Sequence, residues 1–201
     1  MNEKDFITKK LEETEKRIKE LLEDGSLKKI NSSERSIVAA FFDRKSLNRF
    51  QTTQIIFRES STSTDYCDYS EAVGSGYYSM YYIVHAYIAK KYGLKLREGV
   101  RGVHAITLHL IIYYLIKTNK LSRHLYEEYC AAMNLTAEIQ AFNPDEFQKD
   151  AFSYAQKYEK ERGKREMFTY FIAKNAEKSH AESTLQVAEK FIAAIREIMS
   201  Q

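Results

Sequence analysis

The stretch from residue 65 to residue 119 constrains the fold more than any other, because it holds two long apolar segments with helical periodicity. From Tyr69 to Tyr92, tyrosines and aliphatic residues recur every three or four positions, and Gly93 ends the pattern. The segment from His104 to Lys117 is strongly apolar. The stretch therefore predicts two core helices joined by a basic, glycine-containing linker from Lys95 to Gly102.

The rest of the chain also has helical character. Its 201 residues include one proline and seven glycines, and so few breakers favour long helices. An amphipathic pattern from Asp5 to Leu22 predicts an N-terminal helix, and Asn31 with Glu34 predicts the start of the next one. No segment alternates with a period of two residues, so we expect no strands. We predict an all-α bundle of about six or seven helices.

Composition narrows the class of protein. A net charge of +3 does not by itself indicate nucleic-acid binding. Cys67 and Cys130 are the only cysteines, and thiols this far apart without a CxxC motif indicate reduced cysteines. The longest apolar run, from Ala105 to Ile116, is too short to span a bilayer. We therefore expect a cytoplasmic protein with no membrane segment, no metal and no cofactor.

Two short motifs resemble ligand sites but fit them poorly. Gly74 and Gly76 match the start of a dinucleotide fingerprint, but the third glycine is missing and no strand precedes them. Small residues that let two helices approach closely are the better interpretation. His104 and His109 are five positions apart, whereas zinc ligands on a helix are three or four apart. A structural or binding role is therefore expected for His104.

Other residues favour phosphate or base binding, each with a structural alternative. The segment from Lys157 to Arg165 is rich in lysine and arginine and is the best phosphate-binding candidate, although a solvated helix end explains it equally well. His85 fits a core histidine with one satisfied hydrogen bond. Four tyrosines at helical spacing can stack bases or serve as core and interface residues, namely Tyr77, Tyr78, Tyr81 and Tyr82.

Three stretches carry a family resemblance. The first, from Tyr69 to Ala86, has an aromatic pair followed by a small residue and Met80. The second begins with Val103-His104-Ala105 and ends in Lys-Thr-Asn-Lys-Leu121. The third is Arg165-Glu-Met-Phe-Thr-Tyr170, followed by a helical segment over 181–195. In their order and spacing they resemble the HEPN family of small α-helical domains, over about residues 44–201.

The resemblance implies an up-and-down helical bundle over residues 44–201 that pairs as a homodimer. Residues 1–43 lie outside it and form an N-terminal helical arm. Active members of the family are metal-independent endoribonucleases, whose motif is an arginine, four to six residues and a histidine. Other members pair with minimal nucleotidyltransferases as toxin and antitoxin, bind nucleotides or are catalytically silent. The resemblance implies that the catalytic residues are Arg165, Tyr170 and His104. It also implies that the residues that contact nucleotide or RNA are Arg97, Arg101, Arg162, Lys164 and Tyr78.

The chain departs from the family motif at one position. Arg165 is followed after four residues by Tyr170, where active members have histidine. A tyrosine with an ordinary pKa of about 10 is a poor general base at neutral pH. We therefore expect a dimeric nucleotide- or RNA-binding accessory module. The alternatives are an endoribonuclease toxin of a toxin–antitoxin or defence system, and a non-catalytic scaffold partner of a nucleotidyltransferase.

Overall fold

Helices make up nearly all the regular structure in the computed structural model, which describes residues 3–139 and 176–201, with side chains from residue 11 onward. The predicted all-α bundle with an N-terminal helix is confirmed. In chain order the elements are α1 (Glu3–Glu23), β1 (Leu27–Lys29), α2 (Ser32–Thr62), α3 (Tyr69–Tyr92), β2 (Leu94–Leu96), α4 (Val103–Ile111), a π-helical turn (Ile112–Ile116), α5 (Arg123–Ile139) and α6 (Lys178–Ser200).

Local capping residues set the ends of the two longest helices. The Asn31 side chain accepts a hydrogen bond from the Glu34 N–H at 2.9 Å, and the Glu34 carboxylate accepts one from the Asn31 N–H at 3.3 Å. This is the predicted capping box at the start of α2. Asp68 caps α3 through the Glu71 N–H at 2.9 Å. Gly93, with φ of 62°, ends α3 in the left-handed region, as the sequence predicts.

Small residues form the contact between α2 and α3. The four buried residues of α2 recur every seven positions, so they lie along one edge of the helix: Ala39, Ser46, Thr53 and Ser60. Ser46 donates to the Ser79 carbonyl at 2.8 Å, and Ser60 accepts from the Asp68 N–H at 2.8 Å. Because these hydroxyls have partners, burying them costs little. The two pairings also show that the helices run antiparallel and in close contact.

Large apolar residues of α2 divide between the core and solvent. Three side chains that carry the helical pattern in the sequence are widely exposed, at 71% for Ile37, 52% for Ile55 and 44% for Phe41. Phe42 instead packs against the core and stacks on the Tyr82 ring at a centroid distance of 6.1 Å. Periodicity of large apolar residues therefore does not identify the buried face of α2.

A two-stranded sheet was not expected from the sequence. β1 and β2 pair antiparallel, with Leu27 opposite Leu96 and Lys29 opposite Leu94. The ladder is extended by the Ile30 N–H, which donates to the Gly93 carbonyl at 2.8 Å. The prediction of no strands is wrong because three residues are too few to show a two-residue alternation. The sheet ties the segment after α1 to the end of α3.

Helix α1 packs on the bundle through a narrow stripe. Ile18 and Leu21 are buried in the main core. The Thr14 hydroxyl lies 3.2 Å from His109 Nδ1 of α4, and Glu15 forms an ion pair with Lys117. Helix α2 continues without a break through residues 43 and 44. The division into an arm over 1–43 and a bundle over 44–201 stays a prediction, and its boundary falls inside this helix.

Gly76 lets α3 approach α6 closely. A Cβ atom added at Gly76 would lie 2.7 Å from the Thr184 methyl group and 3.5 Å from that of Thr53. The Ser70 hydroxyl accepts a hydrogen bond from the Ala176 N–H at 3.1 Å, near the start of both helices, so α3 and α6 run in the same direction. The contact at Gly76 agrees with the expectation that the glycine permits close helix packing.

We predict that Gly76→Ala destabilises the protein by about 1–2 kcal/mol, because the clash with Thr184 exceeds the gain in helix propensity. Urea unfolding followed by circular dichroism measures the change. In a Thr184→Ser background, which removes the clashing methyl group, the same substitution is expected to be neutral or stabilising. An equal loss of stability in both backgrounds would contradict close packing as the cause.

Candidate functional site

A buried polar cluster joins α3 to α4. His104 is the second residue of α4, and its Nδ1 atom lies 2.7 Å from the Tyr77 hydroxyl in a hydrogen bond. The His104 ring also packs near Tyr81 and Tyr78, at centroid distances of 5.4 and 5.8 Å. Tyr77 is fully buried, whereas Tyr78 and Tyr81 are half-buried. The cluster therefore reaches from the core to the surface.

His85 forms the inner end of this cluster. Its Nε2 atom lies 3.0 Å from the Thr107 hydroxyl, which in turn donates to the Val103 carbonyl at 2.7 Å. Because the Thr107 proton is used in that second bond, the His85 Nε2–H donates to the Thr107 oxygen. His85 is thus a neutral core histidine with a defined tautomer, in agreement with the expectation from sequence.

Burial controls the protonation of both histidines. Desolvation lowers the pKa of His85 to about 3 and that of His104 to about 4. The proximity of the His104 ring lowers the pKa of His85 further. Burial likewise raises the pKa of the Tyr77 and Tyr81 hydroxyls above its ordinary value. At neutral pH the cluster therefore carries no charge, and the His104 ring has one N–H donor and one acceptor nitrogen.

The outer side of the cluster continues into what we call the aromatic–basic surface, formed by Phe41, Lys45, Arg49, Tyr78 and Tyr82. Lys45 Nζ lies 4.9 Å from the Phe41 ring centroid and 5.2 Å from that of Tyr82. The Arg49 guanidinium carbon lies 6.0 Å from the Tyr78 centroid. Both cations are exposed and lie at ring distances typical of cation–π contacts.

One carboxylate faces this surface. Arg49 lies 3.5 Å from a Glu71 oxygen and 3.4 Å from the Ser75 hydroxyl. The pairing is long and both side chains are more than 40% exposed, so it contributes little and can exchange for another anion. Lys45 forms no ion pair within the described ranges. The surface therefore presents two positive charges beside partly exposed rings.

The structure brings together only part of the predicted site. Tyr78 and His104 are neighbours. Arg97 and Arg101 are exposed in the linker, and among the described residues neither forms an ion pair or a cation–π contact with Tyr78 or His104. The Arg97 N–H instead donates to the Ser26 carbonyl at 2.9 Å. The remaining predicted residues lie outside the described residues: Arg162, Lys164, Arg165 and Tyr170.

Lys45 and Arg49 were not recognised from the sequence. They are four positions apart and therefore share one face of α2, which is a weak signal because exposed helices commonly carry such pairs. Only the antiparallel packing of α2 on α3 places them over Tyr82 and Tyr78. Of the residues in the aromatic–basic surface, the sequence pattern indicated only Tyr78 and Tyr82.

Two expected absences concern metals and membranes. Residues 3–139 and 176–201 contain no group of three or more histidine, cysteine or acidic side chains arranged to hold a metal ion. Among the helices in these ranges, none is both long enough and apolar enough to cross a membrane. Cys67 and Cys130 form no disulfide with each other.

Comparisons with protein-family models, with curated proteins and with solved structures find no match to this chain. Relationship to the HEPN family therefore depends on the sequence motifs alone. The helical bundle agrees with that relationship, but many unrelated proteins share this architecture.

The two buried histidines predict a loss of stability at mildly acidic pH. Each has a folded-state pKa below its unfolded value of about 6.5, so the unfolded chain binds more protons as the pH falls below about 6.5. At pH 5 the expected loss relative to pH 7 is about 2 kcal/mol for each histidine. Urea unfolding at both values measures it.

Glutamine variants identify the groups responsible. His85→Gln and His104→Gln are each expected to reduce the difference in stability between pH 7 and pH 5. His124→Gln serves as the control, because its side chain is 78% exposed. If the wild-type protein is equally stable at both pH values, the neutral buried histidines are contradicted.

Proposed function

We propose that the protein is a nucleotide- or RNA-binding module of HEPN type, and that it contacts single-stranded RNA through the aromatic–basic surface. The observation that supports this most strongly is the placement of Lys45 over Tyr82 and of Arg49 beside Tyr78. Partly exposed rings stack on unpaired bases, and adjacent cations bind the phosphates that link them. The proposal does not require a net basic protein, because the charge is local.

The geometry favours single strands over duplexes. Lys45 and Arg49 lie one helical turn apart, about 6 Å along α2, which is close to the spacing of phosphates along a strand. A-form duplex RNA keeps its bases stacked inside, where these rings do not reach them. Two cations beside two rings match two or three nucleotides, so we expect weak, sequence-tolerant binding of a short single strand.

Removing the Lys45 and Arg49 cations should weaken the binding of single-stranded RNA and make that binding less sensitive to salt. For Lys45→Ala/Arg49→Ala we expect lower affinity for a fluorescent single-stranded RNA, measured by anisotropy. The slope of log K against log salt should fall by about 1.4, because each lost contact to a single strand contributes about 0.7. Tyr78→Ala should weaken binding by about 1–3 kcal/mol, whereas Tyr78→Phe should retain stacking and affinity.

Lys19→Ala/Arg58→Ala is the matched control for charge, since it removes the same net charge from exposed positions elsewhere. If this control variant weakens RNA binding as much as the Lys45/Arg49 variant does, the RNA is attracted by the total charge of the protein. The aromatic–basic surface would then not be the binding site.

A metal-independent endoribonuclease is the second candidate, and the position of His104 favours it. His104 adjoins the aromatic–basic surface and is held by Tyr77, so its position suits contact with a ribose 2′-hydroxyl. Burial lowers its pKa to about 4, which makes it a weak general base at neutral pH. Arg165 and Tyr170 complete this site only by the family resemblance. Arginine would stabilise the charge on the phosphate in the transition state.

An RNA-cleavage assay in EDTA separates the two candidates. The binding proposal predicts that wild-type protein binds single-stranded RNA and leaves it intact. If the wild-type protein cleaves RNA, and if Arg165→Ala and His104→Gln each abolish that cleavage, the ribonuclease candidate is supported and the binding proposal is rejected. Cleavage that survives Arg165→Ala with Tyr170→Phe would exclude the family site and point to a contaminating nuclease.

The partners remain proposals on the resemblance alone. We propose that the chain forms a homodimer, which analytical ultracentrifugation tests directly. A nucleotidyltransferase partner would make the protein a scaffold without its own ligand. A stable complex with such an enzyme, together with no affinity for RNA or nucleotides, would favour that role over the binding proposal.

A further inference from the structure

A second site candidate lies away from the aromatic–basic surface. A groove of about 390 Å³ is formed where the first turns of α2 meet the last turn of α3 and the end of α6. This volume is within the range of small-ligand pockets. Its polar side holds two basic and two hydroxyl side chains, and its apolar side includes an alanine and a methionine: Ser32, Arg35, Ser36, Lys90, Ala39 and Met199.

The two cations of the groove have no anionic partner. Neither Arg35 nor Lys90 forms an ion pair or a side-chain hydrogen bond within residues 3–139 and 176–201. Asp43, the one carboxylate at the groove, is engaged by Arg196 at 2.9 Å. The two positive charges repel each other, and an anion bound between them is attracted to both and offsets that repulsion.

The Arg35 side chain lies beside Gly93. A Cβ atom added at Gly93 would lie 2.7 Å from Arg35 Nη2 and 2.8 Å from Cζ. The guanidinium therefore lies directly on the chain at the end of α3, in space that any other residue would fill. This places the Arg35 cation next to the last turn of α3, which carries Lys90.

Two hydroxyl groups add donors without competing partners. The Ser32 and Ser36 side chains line the groove one turn apart on α2, and neither forms a hydrogen bond among the described residues. Two cations and two hydroxyls suit a dianion with three oxygens better than a carboxylate with one charge and two oxygens. Ala39 and Met199 provide a surface for an apolar group attached to the anion.

We propose that this groove binds a small organic phosphate. Its phosphate group lies between Arg35 and Lys90, with the Ser32 and Ser36 hydroxyls as further donors, and its apolar part packs against Ala39 and Met199. Arg35 and Lys45 are ten positions apart on α2, about 15 Å along the helix, so the two proposed sites use different cations. The inference is independent of the proposed RNA-binding function.

Phenyl phosphate is the probe, because it combines a phosphate dianion with a compact apolar group. Isothermal titration calorimetry at pH 8 should show a saturable complex with wild-type protein, weaker binding of inorganic phosphate, and none of phenol. Arg35→Gln/Lys90→Gln should weaken phenyl phosphate binding by about tenfold or more, since hydrogen bonds to charged groups are lost. Lys45→Gln/Arg49→Gln removes the same charge elsewhere and should bind phenyl phosphate as the wild type does.

A second variant excludes misfolding as the cause of lost binding. Ser32→Glu introduces a carboxylate into the groove at the first position of α2, where an acidic residue stabilises a helix. We expect its melting temperature to be unchanged or raised and its affinity for phenyl phosphate to be lost. Affinity for single-stranded RNA should be unchanged in both groove variants, so the two sites fail or succeed separately.

Three outcomes would overturn the proposal. The first is no binding of phenyl phosphate by the wild-type protein at about 10 mM, where even a weak site is occupied. The second is wild-type affinity in the Ser32→Glu variant. The third is an equal loss of affinity in the Arg35/Lys90 and Lys45/Arg49 variants, which would show attraction to overall charge.

Discussion

The close antiparallel contact between α2 and α3 is the interaction on which the rest of the structure depends. It is made by small side chains at seven-residue intervals on α2, from Ala39 to Ser60. Ser46 donates to a backbone carbonyl of α3, and Ser60 accepts from the N–H of the residue that caps α3. The contact combines dense packing with satisfied hydrogen bonds, so polar residues are buried without a large cost.

This contact has three consequences at the surface. Because small residues occupy the buried edge of α2, large residues such as Phe41 turn outward. Because the helices are antiparallel and close, Lys45 and Arg49 reach the rings of Tyr82 and Tyr78. The same arrangement brings Arg35 onto Gly93, next to Lys90, at the other end of the pair. Both proposed sites therefore follow from the register of one helix pair.

The buried histidines connect the core to the first of these sites. Tyr77 orients His104, and Thr107 orients His85, so α4 is joined to α3 by polar contacts as well as by packing. Burial keeps both rings neutral at physiological pH. The stability of the region around His104 therefore falls as the pH is lowered, since protonation of either ring opposes folding.

The sequence by itself determined the all-α class, the helix starts at Asn31 and Asp68 and the end of α3 at Gly93, because capping depends on residues within a few positions. It also predicted Tyr78 and His104 as site residues, and the structure places their rings 5.8 Å apart. Only the tertiary structure decided which face of α2 is buried. A small polar residue is buried only when another helix supplies its hydrogen-bond partner. Pairing of α2 residues with Tyr78 and Gly93 likewise depends on register between distant segments, which no local pattern encodes.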